Sequence, residues 1–151
     1  MMDTILQLHS ITRWLILISL VAALYVAYSG WLFNKKNEPW FNRLRIITQT
    51  IAHIQLVVGL YLYFTSPIVS FFWRNPSIAI KMREIRFFSM EHSLVMLVAI
   101  VLWTIVSMRV KRIKDDSKYK KMAIGYTIVL ILILSSIPWS FSPLVSRPLW
   151  R

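Results

Sequence analysis

Long apolar stretches alternate with short polar connections along this chain, and the alternation predicts helices that cross a membrane. Trp14 to Phe33 carries no charge over about 20 residues, which at 1.5 Å per residue matches a hydrocarbon layer of about 30 Å. That run is too long for the apolar core of a signal peptide, and no small-x-small cleavage site follows it. Ile46 to Ser66 is also uncharged, with His53 near its middle and Gln49 and Gln55 on either side. A third run, about Phe87 to Met108, takes Glu91 and His92 into the membrane, and a fourth, Met122 to Phe141, ends near Pro138-Trp139. The expected fold is all-α, an integral membrane four-helix bundle in a single domain over 1–151, with spans of about 9–33, 44–65, 84–108 and 121–141.

The connections add detail. Asp3 or Thr4 is placed to cap a first helix that starts early and carries His9 and Arg13. Glu38-Pro39 marks a turn in the first connection. From Pro67 to Pro76 the chain is aromatic, with Phe71, Phe72 and Trp73, and reads as an extra interfacial segment before the third span. Ser77 is a plausible N-cap for the third helix, whose first turns, Ile78 to Arg86, are amphipathic and basic. Pro143 and Pro148 argue against a further helix in the tail.

Composition agrees with the pattern. Hydrophobic residues make up 57% of the 151, and the mean hydropathy is +0.58. A net charge of +12 invites a nucleic-acid reading, but the basic residues gather in the connections and ends, so no nucleic-acid partner is expected. Eleven lysines and arginines fall in the first connection, Asn34 to Arg45, and the third, Arg109 to Lys121, and seven on the opposite side. The excess predicts that both termini lie outside, periplasmic in a bacterial inner membrane. The absence of cysteine excludes disulfides, thiolate metal sites, iron–sulfur clusters and covalent c-type haem attachment. No serine-hydrolase elbow, zinc-protease, phosphate-loop or dinucleotide motif occurs.

The candidate chemistry is in the histidines. All three, His9, His53 and His92, fall on the first three spans or at their outer ends, where ionisable side chains are costly and are functional suspects. At 100° per residue the second helix is expected to have two inward-looking stripes: Thr48, Ala52, Gln55 and Gly59, a close-packing face of small residues, and Gln49, His53, Leu56 and Leu60, which presents the histidine. His92, Met96, Ala99 and Trp103 share a face of the third. A b-type haem needs two imidazoles on facing helices at matched depth and basic groups near the surface for its propionates. Two of the three histidines could ligate, His9 with His92 matching best in depth, and Arg13 and Arg86 are the propionate candidates. Alternatively His9, His53, His92 and Glu91 form a non-haem site for zinc, copper or iron. A third reading makes the polar residues helix glue in a cofactor-free accessory subunit, with Glu91 paired to Arg86 or Arg83. Trp14, Trp31, Tyr61, Tyr63, Trp139 and Trp150 read as interfacial belts.

Leu8-His9-Ser10 with Arg13-Trp14, Ala52-His53-Ile54-Gln55 with Gly59, Phe87 through His92, and Ser136-Ile137-Pro138-Trp139 together resemble the small four-helix bacterial membrane proteins identified as cytochrome b-like. The resemblance covers nearly the whole chain and implies a membrane haem protein. A more distant similarity is to one four-helix half of haem A synthase, through the histidine followed by Gln and Gly on a span; the fourth helix here has no histidine, so synthase chemistry does not carry over. The combined expectation is an electron carrier or subunit rather than a stand-alone enzyme. Its expected partners are membrane lipid, quinone, and other respiratory subunits or further copies of itself.

Overall fold

The computed structural model describes residues 2–139, with side chains from Thr4 onward. Pro143, Pro148, Trp150, Arg147, Arg151 and the end of the span expected to reach 141 lie outside the described residues. Among those described, regular structure is entirely helical. Four helices are long and apolar enough to cross a membrane, making this a multi-pass all-α bundle. α1 (Met2–Leu32) already runs at Asp3 and Thr4, so neither precedes it as a cap. α2 (Glu38–Thr65) is capped by Asn37, whose side chain accepts from the Trp40 amide.

Between the second and third spans the chain makes α3 (Pro67–Arg74), α4 (Pro76–Ala79) and α5 (Arg83–Arg86). The expected continuous helix from Ser77 is not formed. Asn75 occupies the cap position of α4, and the chain turns at Ile80 to Met82 before helix resumes. Val69, Phe72 and Ala79 are buried, so this segment folds as a lid on one end of the bundle. A π-helical turn, Phe87–Glu91, then runs without a break into α6 (His92–Arg112). α7 (Ser117–Ser136) stops before Pro138, because the residue ahead of a proline is forced out of the helical region and Ile137 is extended.

The long helices form a closed ring in the order α1, α2, α6, α7, each antiparallel to its neighbours, and the seam between α2 and α6 is the loosest. Leu20, Ala23, Leu24 and Ala27 of α1 meet Met122, Ala123, Tyr126 and Val129 of α7 at helical spacing. Large apolar side chains such as Ile18, Tyr25, Val57, Val101 and Ile131 point outward, the arrangement expected of a lipid-facing surface. At the basic end, Lys36 pairs with Asp116 and Lys118 with Glu38.

Arg45 departs from its expected place in the first connection. It lies within α2 and is buried, with Nη1 donating to Ser107 Oγ at 3.2 Å. No carboxylate pairs with it among the described residues. A buried cation without a counter-ion is costly, and an apolar side chain of similar length removes that cost. Arg45→Met is therefore expected to hold or raise the unfolding midpoint in detergent, by up to about 2 kcal/mol. A loss of more than about 2 kcal/mol would mean that the guanidinium holds α2 to α6.

Candidate histidine site

Proline at 138 sets up one half of the site. By ending α7 it leaves the Ser136 carbonyl without its intrahelical partner. His92 Nδ1 lies 2.8 Å from that oxygen. A carbonyl can only accept, so Nδ1 is the donor and the neutral ring keeps its lone pair on Nε2. The π turn immediately before His92 sets its direction, and Phe87 and Phe88 flank the imidazole with ring centroids at 5.8 and 6.3 Å. Along the same face of α6, Ala99 and Trp103 are buried and Met96 packs against the core, as the 100° reading expects.

His9 is the other half. Gln55 Nε2 donates to the His9 carbonyl at 2.8 Å, using the lone pair left over from the helical ladder, and Thr12 donates its hydroxyl to Gln55 Oε1. This bracket locks α1 to α2 at the level of the imidazole. His9 Nδ1 is buried and has no hydrogen-bond partner among the described residues. Opposite the ring stands Gly59, where a Cβ would come 3.4 Å from His9 Cε1. The His9 and His92 rings face each other across the bundle, with centroids 6.4 Å apart and planes at 71°.

Around this pair is a cavity of about 830 Å³, walled by α1, α2, α6 and the end of α7 and roofed by the lid. Its wall is mostly apolar; the larger polar side chains on it include Arg13, Gln55, Tyr63 and the two histidines, with several serines between them. Arg13 is one turn below His9, its guanidinium 5.5 Å from the centre of the Trp14 ring.

Three expected participants are elsewhere. His53 is exposed on the outside of the bundle, its Nε2 3.1 Å from Thr104 Oγ1, so it ties α2 to α6. Arg86 donates from Nε to Glu91 Oε1 at 2.6 Å and from Nη1 to the Ile80 carbonyl, and neither Arg86 nor Glu91 lines the cavity. The four-ligand set of His9, His53, His92 and Glu91 is accordingly not assembled. Among the described residues no group of three or more histidines and carboxylates is placed to hold a metal ion. Glu91 is one residue from His92, about 100° around a helix, and its carboxylate is held by Arg86 away from the cavity.

Residues absent from the expected site are Thr12, Gly59 and the Ser136 carbonyl. Gly59 figures only in the packing stripe and the resemblance, the Ser136 carbonyl has the local signal of a proline two residues on, and Thr12 has none. Gln55 matters more than its assignment to a packing stripe implied. Gln55→Leu should cost about 1 kcal/mol of stability, since the hydrogen bonds that join α1 to α2 are lost while the Thr12 hydroxyl keeps the Leu8 carbonyl as acceptor. Thermal unfolding in detergent measures this; an unchanged midpoint would rule out the bracket as a stabilising contact.

Compared with known proteins, the chain matches no family model, no curated protein and no solved structure.

Proposed function

We propose that this protein holds one b-type haem between His9 and His92 and carries electrons in a bacterial inner membrane, with both termini and the histidine end on the periplasmic side. The observation that carries the reading is the histidine pair. Two imidazoles that face each other across an apolar cavity would hold a haem between them. The rings stand at 6.4 Å. Each ring has a nitrogen that the protein leaves unclaimed: Nε2 of His92, by its tautomer, and the buried Nδ1 of His9. The hydrogen bond from His92 Nδ1 to a backbone carbonyl is the support that metal-ligating histidines commonly have.

The remaining wall suits the same ligand. Gly59 keeps space open beside His9, and Arg13 offers a cation to a carboxylate. When bound, haem supplies one-electron redox chemistry; the protein binds it, orients it and excludes water. His53 and the Arg86–Glu91 pair serve as helix connections in this reading. Electron partners would be quinone or quinol, or a neighbouring respiratory subunit.

A reduced-minus-oxidised visible spectrum of the purified protein, with haem quantified against protein, tests the proposal. A sharp α band at close to one haem per chain is expected. A featureless spectrum from protein expressed with ample haem would overturn it and favour a cofactor-free accessory subunit.

A further inference from the structure

We infer that the outer groove between α1 and α7, at the end of the bundle away from the histidines, holds one anionic phospholipid, with Lys120 and Trp31 receiving its phosphate. The inference is independent of any cofactor.

Three side chains build the head site as a stack. Thr127 donates its hydroxyl to the Ala123 carbonyl at 2.7 Å, so its oxygen accepts from the Tyr28 hydroxyl at 2.9 Å, and α1 is tied to α7 at this level. The Tyr28 ring stacks on Trp31, with centroids 5.8 Å apart and planes at 28°. The Lys120 ammonium lies over the Trp31 ring, 5.5 Å from its centre. The ring holds the cation in place on an exposed surface while its N–H donors stay available to an oxyanion. A cation already placed costs a ligand less ordering than a freely moving lysine does.

Charge selects the head. Asn34 to Arg45 and Arg109 to Lys121 carry eleven lysines and arginines against three carboxylates, an excess of eight positive charges at this end. Asp116 is paired with Lys36, Glu38 with Lys118, and Asp115 accepts from Ser117. No carboxylate pairs with Lys120 among the described residues. An anionic head is favoured there over a zwitterionic one, whose own cation is repelled.

The surface next to the head site says that the anion carries acyl chains. Ile124 and Ile131 continue the Lys120 face of α7, and Val21 lies two turns along α1 from Tyr28; all three are exposed, on helices long and apolar enough to span. Lys120 to Ile131 is about 16 Å at 1.5 Å per residue, the hydrocarbon depth of one leaflet. A cation at one end of an aliphatic strip of that length matches a phospholipid better than a free phosphate.

The test is native mass spectrometry of the full chain in detergent, titrated with phosphatidylglycerol and with phosphatidylcholine of the same acyl chains. Phosphatidylglycerol should bind at one per chain and roughly fivefold or more tighter, the preference expected from one lysine near an anionic head. Lys120→Gln should bring the two lipids together. Trp31→Leu, which removes the ring under the ammonium, should weaken phosphatidylglycerol roughly twofold to fivefold. Lys111→Gln removes the same charge from an exposed position on α6, off this groove, and should change the affinity less than twofold. Equal losses from Lys111→Gln and Lys120→Gln would mean a diffuse positive field and overturn the site, as would equal affinity of the unaltered protein for both lipids. Glycerol phosphate, the head without chains, should not displace phosphatidylglycerol at a roughly hundredfold excess. Displacement would make a soluble phosphate the ligand and overturn the lipid.

Discussion

His92→Ala and His9→Ala should each purify without haem, whereas His53→Ala should retain close to the wild-type amount. The expected loss at either ligand is roughly tenfold or more in haem per chain, since even the outer partners of metal ligands alter affinity tenfold to a hundredfold. His53 differs from the other two in its surroundings rather than its chemistry. Its bond to Thr104 bridges two helices on the outer surface, so its removal should cost about 0.6 to 2 kcal/mol of stability and nothing at the site. Haem content, the α band and the unfolding midpoint, measured on the same three preparations, make the comparison internal. Loss of haem from His53→Ala with retention in His9→Ala would overturn the assignment of the pair. Equal, small losses of stability in all three, with no spectrum in any, would mean that the histidines only join helices.

The spans were legible because hydrocarbon imposes one demand, a long run of apolar residues with every backbone group satisfied internally. Faces within a helix were legible too: His92, Met96, Ala99 and Trp103 are a stripe by angle alone, and Thr48, Ala52 and Gln55 are indeed buried together. What periodicity lacks is the rotation of each helix about its own axis in the bundle. His53 and Gln55 are only two residues apart, about 200° around α2, so when one faces inward the other faces out. Chemical suspicion fell on the histidine, and packing turned the glutamine inward.

Local irregularity was the second obstacle. A single π turn at Phe87–Glu91 breaks the 100° rule at the point where Glu91 and His92 had to be oriented, and no residue type marks such a turn. The breaks at Asn75 and at Ile80 to Met82 likewise replaced one amphipathic helix with a folded lid. Arg45 was placed by its charge among the connections, although an arginine stem is long and apolar enough to lie along a helix interface.

Gly30→Ala should be the most damaging single-atom change outside the site. A Cβ built at Gly30 would sit 2.2 Å from Tyr119 Cδ1 and 2.6 and 2.7 Å from Cε1 and Cγ. The ring has little room to yield. Tyr119 is fully buried, packs against Phe41 with centroids 4.6 Å apart, and follows Lys118, which is itself buried and paired with Glu38. Either α1 moves off α7 or the ring leaves its site, and overpacking of this kind costs about 3 kcal/mol. The loss is read as a lower unfolding midpoint in detergent. Gly125→Ala, whose Cβ would come 2.5 Å from Val106 Cγ1, should cost less, because Val106 is half-buried. A double variant tests the cause. Tyr119→Ala alone leaves a cavity costing about 3 to 5 kcal/mol, but adding Gly30→Ala to it should cost almost nothing further, since the clashing ring is gone. Additive losses would mean that Gly30 matters for some other reason than its approach to Tyr119. Gly30 lies about 31 Å along α1 from His9, so the folded fraction of either variant should bind haem with the wild-type spectrum. A shifted α band in folded Gly30→Ala would show that the α1–α7 contact positions the histidines as well as holding the bundle closed.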